Sequence, residues 1–230
     1  MSLGNDVVTD GFAIFPDVLA ASDVGELLAA LAKSPPQRSR AGARHVLSHP
    51  AVATIATDSR LLSVARTVLG PHAFPYRATL FDKSATANWL VAWHQDTALP
   101  LRERREASGW GPWSIKDGVH YAHAPAAALE QVLALRLHLD ESTAENGPLR
   151  ILAGTHTLGV LTDEEVHRAA SAANAVECVV GAGGVLAMRP LVIHASSKSR
   201  SAISRRVLHI EYAAHGEIAA PLELAIDSAR

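Results

Sequence analysis

Val132-Leu133-Ala134-Leu135-Arg136-Leu137-His138-Leu139-Asp140 alternates without a break. Successive side chains of an extended chain point to opposite faces, so Leu133, Leu135, Leu137 and Leu139 fall on one side. Val132, Ala134, Arg136, His138 and Asp140 fall on the other. A helix would scatter both sets around its circumference, so the run predicts a strand with one leucine face for a core. Similar candidates lie at 73–82, 88–94, 148–152, 176–180, 184–188, 190–194 and 205–213. Turn signals separate them, among them Asn146-Gly147-Pro148 and Gly181-Ala182-Gly183-Gly184.

Upstream the pattern differs. After a short apolar strand at 11–16, Ser22 or Asp23 opens a helix with Val24, Leu27, Leu28 and Leu31 on one side, ended by Ser34-Pro35-Pro36. Residues 37–57 show no clear pattern. Asp58 caps a second helix carrying Leu61, Leu62, Ala65, Val68 and Leu69, with Gly70-Pro71 as its stop. Thr162, with Glu165 three positions on, predicts a capped surface helix over 162–172. Many short strands after helices indicate a mainly β barrel or sandwich with flanking helices. One domain over 1–230 is expected, its helical part (1–71) packing on a β core (72–215).

The bulk numbers narrow the function classes. A hydrophobic fraction of 48% with 19% charged residues is a globular composition. A formal net charge of -2 argues against a nucleic-acid partner, which would require a dominant basic surface. The single cysteine, Cys178, allows no intrachain disulfide, and its strand-like setting suggests a buried, inert thiol. No secretion signal or membrane span is expected, so a cytoplasmic protein without a membrane partner is the default. The sequence says nothing of the oligomeric state.

With 12 histidines and 23 acidic residues in 230 positions, roughly one His-x-acid triplet arises by chance. Three occur: His94-Gln95-Asp96, His138-Leu139-Asp140 and His209-Ile210-Glu211. A triplet alone therefore carries little weight. On a strand, however, His-x-Asp aims an imidazole and a carboxylate at one point. A histidine from another strand would complete the three-ligand face of a non-heme Fe(II) oxygenase, leaving positions open for substrates. His194, read as the end of a strand over 190–194, is placed to serve.

Trp93-His94-Gln95-Asp96, Glu145-Asn146-Gly147-Pro148-Leu149, Ala153-Gly154-Thr155-His156, Ile193-His194-Ala195-Ser196 and Arg205-Arg206 together resemble the phytanoyl-CoA dioxygenase family. The likeness runs in order from about residue 74 to 213. It implies a double-stranded β-helix (a cupin-like jelly roll), Fe(II), 2-oxoglutarate as co-substrate and O2. It also selects among the triplets, since the family's metal-binding His-x-Asp lies several dozen residues before the Asn-Gly-Pro turn, as His94 and Asp96 do. His138 and Asp140 run straight into that turn, so His138 is expected to line the pocket or support it.

The resemblance further assigns Arg205, eleven residues after His194, to the distal carboxylate of 2-oxoglutarate. A planar guanidinium suits that task by making two parallel hydrogen bonds. Arg206 should point to the opposite face. Ser196 matches a family serine at the same carboxylate, and Gln95, Lys83 and Arg136 are further co-substrate candidates. Arg136 stands near a position where the family often has tryptophan, and implies an added anionic contact. Asp96 favours hydroxylation over halogenation, because halogenating relatives lack this carboxylate.

All four tryptophans, Trp89, Trp93, Trp110 and Trp113, fall within 25 positions. Residues 97–130 read as one long connection that also carries Arg102, Arg104 and Arg105. Two readings stay open. Either Trp110, Trp113 and Arg102 belong to a substrate-contacting lid, or Trp89 and Trp93 are core and the arginines a solvated turn. His45, His49, His120 and His123 are expected to be surface or packing residues, and His156 structural. The expected activity is a 2-oxoglutarate-dependent hydroxylation of a small molecule, with release of succinate and CO2. The alternatives are a cupin-like metal enzyme that does not use 2-oxoglutarate, and a non-catalytic β-helix binding module.

Overall fold

The structure, a computed structural model, describes residues 3–38, 42–84 and 87–227. In chain order its elements are α1 (Leu3–Thr9), β1 (Phe12–Phe15), α2 (Ala21–Lys33), β2 (Gly42–Ala43), α3 (Pro50–Ala56), α4 (Ser59–Leu69), β3 (Phe74–Lys83) and β4 (Val91–His94). They continue with β5 (Ala98–Leu101), β6 (Trp113–Lys116), β7 (Val119–His123), α5 (Ala126–Leu129), β8 (Val132–His138) and β9 (Leu149–Ile151). The last are α6 (Asp163–Ala172), β10 (Val176–Cys178), β11 (Val185–Met188), β12 (His194–Ser196) and β13 (Arg205–Ala213).

Two antiparallel sheets face one another. The larger has the order β1-β11-β8-β13-β3-β2, the smaller β10-β9-β12-β4. The chain passes repeatedly between them, at β3 to β4, β8 to β9, β10 to β11, β11 to β12 and β12 to β13, which makes the arrangement a jelly roll, or double-stranded β-helix. The leucine face of β8 behaves as its alternation demands. Leu133, Leu135, Leu137 and Leu139 pack with Val24, Leu27 and Leu31 of α2 and Leu61 and Ala65 of α4 in one core on the outside of the larger sheet. Ala134, on the opposite face, joins Leu149, Ile151, Cys178, Leu186 and Met188 between the sheets. β8 is buried along its whole length. Its polar face therefore looks into the molecule, not into water.

The helices end where local chemistry dictates. Asp58 accepts a hydrogen bond from the Arg60 amide at the start of α4, and Gly70 (φ 95°) terminates it. Thr162 and Glu165 form a reciprocal capping box on α6. The expected cap of α2 shifts: Ala20 is the N-cap, and the Asp23 carboxylate accepts from its amide.

Three expectations require correction. The run 190–194 is not a strand. Leu191, Val192 and Ile193 form a buried turn closed by the Val192 amide on the Arg189 carbonyl, and His194 begins β12. A short apolar run has no period to separate a buried turn from a strand. Residues 97–130 are not a bare connection. They contain the sheet β5-β7-β6 and the short helix α5. The patternless stretch 37–57 holds β2, paired with β3, and α3. The N-terminal residues thus supply both edges of the larger sheet, β1 and β2, as well as helices.

Candidate active site

β4 and β12 lie side by side in the smaller sheet, and their pairing sets His94 directly opposite His194. The two rings sit 4.2 Å apart between centroids. Each Nδ1 is within hydrogen-bond distance of the carbonyl two residues back, His94 to Ala92 at 2.8 Å and His194 to Val192 at 2.9 Å. A carbonyl only accepts, so both Nδ1 atoms carry the proton and both Nε2 lone pairs are free. Those Nε2 atoms each stand 3.6 Å from an oxygen of Asp96. Asp96 is fixed in turn by its amide, which donates to the Pro190 carbonyl at 2.9 Å.

Among the described residues, these three are the one group of histidine, cysteine and acidic side chains whose ligand atoms all lie within 4.8 Å of one another. Two neutral imidazoles with fixed tautomers and one carboxylate, gathered on one side, fit Fe(II) with open coordination positions. The charges respond to that crowding. Burial opposes ionisation of Asp96, yet the two histidines hold its carboxyl well below the usual range. Burial pushes His194 down to about 4, while the hydrogen bond and charge of Asp96 outweigh burial at His94 and raise it.

The triad opens onto a cavity of about 360 Å³ between the sheets. At one end sit Lys83, Arg136 and Arg205, with exposures of 1%, 8% and 6%. The pairing of β13 with β3 sets Arg205 opposite Lys83. Lys83 Nζ donates to Ser196 Oγ at 2.8 Å and to the Ser197 carbonyl, and Ser196 Oγ donates to the Gly147 carbonyl at 3.0 Å. Arg205 Nε donates to the Asn146 carbonyl at 3.2 Å. The Asn146-Gly147 turn therefore holds this corner together. Gly147 has φ 68°, and a Cβ there would stand 2.4 Å from the Ser197 carbonyl oxygen. Among the described residues no carboxylate pairs with Lys83, Arg136 or Arg205. Burial and the Arg205 and Arg136 charges pull Lys83 down to about 8, and burial with Arg136 pulls Arg205 down to about 10.

Arg206 takes the opposite face and pairs with Asp140 at 2.7 Å on the outside. Gln95 borders the cavity, but its amide is committed to backbone, donating to Gly159 and Leu191 carbonyls and accepting from the Leu161 amide. It ties strand β4 to two loops. His138 is not on the cavity wall. It is 2% exposed, both ring nitrogens lack a partner, and burial beside Arg136 and Arg205 pushes it down to about 3.

The lid expectation for Trp110, Trp113 and Arg102 is not met. Trp110 is buried with Leu99, Leu101, Leu129 and Leu222, and Trp113 packs against that cluster. The sheet β5-β7-β6 needs a core of its own, and the tryptophans supply it. Arg102 pairs with Glu223 at the surface. Of the four tryptophans, Trp89 lines the cavity, with Lys83 Nζ 5.4 Å from its ring centroid.

Arg77 and Lys116 line the cavity without having been singled out in the sequence, as do His123, expected to be a surface or packing residue, and His209 and Glu211, whose triplet was passed over for His94 and Asp96. His209 accepts from Arg136 at 3.0 Å, and Glu211 pairs with Arg77 at 2.8 Å. Their signal was present in β13, where Arg205, Val207, His209 and Glu211 alternate with Arg206, Leu208, Ile210 and Tyr212. The outer residues Leu208, Ile210 and Tyr212 join the helix-facing core.

The family model for phytanoyl-CoA dioxygenase matches residues 7–207. The chain belongs to that family. Among curated proteins it is similar to ectoine dioxygenase of Sphingopyxis alaskensis, 26% identical over 163 residues, covering 64% of this chain and 46% of the relative. It is also similar to L-proline trans-4-hydroxylase of Streptomyces griseoviridis, 26% identical over 178 residues, covering 66% of this chain and 59% of the relative. The matched region spans about half the length of these relatives. Among solved structures, the apo form of the non-heme monooxygenase ThoJ superposes with TM-score 0.68 at 19% identity, covering 92% of this chain and 77% of that one. EctD from S. alaskensis with 2-oxoglutarate and 5-hydroxyectoine gives TM-score 0.68 at 18% identity, covering 91% and 74%. These likenesses show the fold.

Proposed function

We propose that this chain is an Fe(II)- and 2-oxoglutarate-dependent dioxygenase that hydroxylates a small molecule and releases succinate and CO2. One observation carries the reading. A cavity with a His-Asp-His face on its wall ends in three buried cations that have no acidic partner among the described residues. Unpaired buried charge is costly, so such a cluster is built for an anion that arrives from outside. A dicarboxylate with a keto group next to one carboxylate can satisfy the metal face and the cations together.

His94, Asp96 and His194 would hold the metal, which supplies the reaction with O2 when bound. Arg205 and Lys83 hold the distal carboxylate, with Ser196 fixing the Lys83 ammonium and Arg136 adding charge beside it. Trp89 screens Lys83 from water, and Gln95 keeps the ligand strand in place. A metal-only enzyme would not require the cationic corner. The two curated relatives are named for ectoine and L-proline, small molecules of the kind this cavity admits. No described helix is long and apolar enough to cross a membrane. An unpaired buried thiol and a ferrous cofactor both suit a reducing cytoplasm.

Anaerobic addition of Fe(II) and 2-oxoglutarate should produce a visible charge-transfer band. Arg205→Ala should weaken 2-oxoglutarate by about 1.5–3 kcal/mol, roughly ten- to a hundredfold, as expected for lost bonds to a charged group. Absence of the band, or an unchanged affinity in the variant, would overturn the assignment.

A further inference from the structure

The cavity has a second charged end that the co-substrate does not account for. Arg205 and Glu211 both face inward on β13, six positions apart, about 20 Å of strand at roughly 3.3 Å per residue. Opposite them on β3 stand Lys83 and Arg77 respectively. A five-carbon dicarboxylate reaching from Arg205 to the metal face leaves the Arg77–Glu211 end free. In the β3–β13 strand pair the Arg205–Lys83 and Glu211–Arg77 positions stand at opposite ends, and both line the cavity that carries the metal face.

This end carries more cation than anion. Arg77 Nε pairs with Glu211 at 2.8 Å, and the Arg77 guanidinium lies 5.2 Å from the Tyr121 ring centroid. Lys116, on β6, brings its Nζ to 4.8 Å from the same ring and has no acidic partner among the described residues. The neighbouring acids have partners of their own: Asp117 pairs with Arg44 at 3.2 Å, and Asp227 bonds to His45 at 2.7 Å and accepts from the Ala78 amide at 3.3 Å. Both cations border the cavity, as do Thr97 and His123, which bond to each other at 2.7 Å. A guanidinium and an ammonium stand over one aromatic ring, and with Arg77 paired to Glu211 the Lys116 ammonium is left for a negative charge brought by a ligand.

We propose that the substrate is a small molecule bearing a carboxylate, and that Lys116, with Arg77 beside it, binds that carboxylate and turns the rest of the molecule toward the metal face. Lys116 is then a specificity-determining residue, and Glu211 holds the Arg77 fork in place. The proposal rests on the dioxygenase reading, because the metal and 2-oxoglutarate define which end is free.

The test uses protein loaded with Zn(II), an inert stand-in, and with 2-oxoglutarate, whose binding is first measured by calorimetry. Trifluoroacetate and its uncharged counterpart trifluoroacetamide are then titrated by ¹⁹F NMR. Trifluoroacetate should bind and trifluoroacetamide should not. Lys116→Gln should weaken trifluoroacetate by about tenfold, the scale of one charged hydrogen bond. Lys116→Arg should retain most of the affinity, and Lys33→Gln, a surface change far from the cavity, should retain all of it. Equal binding of acid and amide, no binding of trifluoroacetate, or full affinity in Lys116→Gln would overturn the proposal. Failure of 2-oxoglutarate itself to bind the Zn(II) protein would instead sink the dioxygenase reading.

Discussion

The two faces of the larger sheet are built by the same strands and are almost equally buried, yet they do opposite work. On β8, Leu133, Leu135 and Leu137 are 0% exposed against the helices, while Arg136 and His138 on the inner face are 8% and 2% exposed. On β13, Leu208, Ile210 and Tyr212 face outward to α2, α3 and α4, with Tyr212 donating to the Ala56 carbonyl at 2.7 Å. Arg205, His209 and Glu211 face inward. Burial of the outer face removes apolar surface from water and stabilises the fold. Burial of the inner face strips solvent from charges and destabilises it unless a ligand answers them. The contrast teaches that the helices and the leucine face provide the stability that lets the inner face remain strained and functional.

The sharpest way to break this contrast is Asp96→Ala. Losing one of three ligands should lower Fe(II) affinity by more than the roughly 10- to 100-fold typical of changes in the surrounding layer. The melting temperature of the metal-free protein should fall only slightly, because the Asp96 side chain is 43% exposed and solvent weakens its 3.6 Å contacts with His94 and His194. A collapse in thermal stability would show that the two faces are not separable.

Leu135→Ala attacks the other face. Its loss should cost about 2–5 kcal/mol, the range for a fully buried leucine, measured by denaturant unfolding. The 2-oxoglutarate affinity of the protein that remains folded should not change. If the affinity fell with the stability, the division of labour would be wrong.

A smaller effect comes from pH. Lys83 is held down to about 8, so its ammonium is present below that pH and lost as the pH rises through it. A bound carboxylate favours the charged form and raises the value again. Affinity of the Zn(II) protein for 2-oxoglutarate should therefore fall several-fold from pH 7 to 9, with proton uptake on binding above pH 8. Calorimetry in buffers of different ionisation heat reads both, and Lys83→Gln should flatten the profile. A flat profile in the parent would remove Lys83 from the site.

The smallest change is expected at Arg206, one residue from Arg205 but on the outer side. Its half-exposed pair with Asp140 should contribute no more than about 1 kcal/mol to stability. Arg206→Ala should leave 2-oxoglutarate binding intact. Comparable losses from Arg205→Ala and Arg206→Ala would erase the distinction between the faces.

Much of this was legible in the chain because it is local. Alternation at 132–140, the Asp58 and Thr162 caps and the Asn146-Gly147 turn each act within a few residues, and each element stands where its pattern placed it. The order of His94, Asp96, His194 and Arg205 was legible through resemblance. What failed was the use of tryptophan and apolar runs. Trp110 and Trp113 read as lid residues beside the arginines, because a large apolar ring suits a lid as well as a core, and the sheet β5-β7-β6 takes them into its core. Val192 and Ile193 are apolar enough for a strand but serve a buried turn.

By itself, the sequence determined which faces of the strands are apolar, where the helices start and stop, and which residue types are available for a metal and a dicarboxylate. Those properties depend on side-chain period and on contacts a few positions apart. Resemblance selected one of the three His-x-acid triplets, but only the tertiary structure brings it to a second histidine, through the pairing of β4 with β12, a hundred positions distant. It alone placed Arg77, Lys116 and Glu211 at one end of the cavity. Charges brought together by the register of β3 with β13 and by the packing of the β5-β7-β6 sheet leave no mark in any local stretch of the chain.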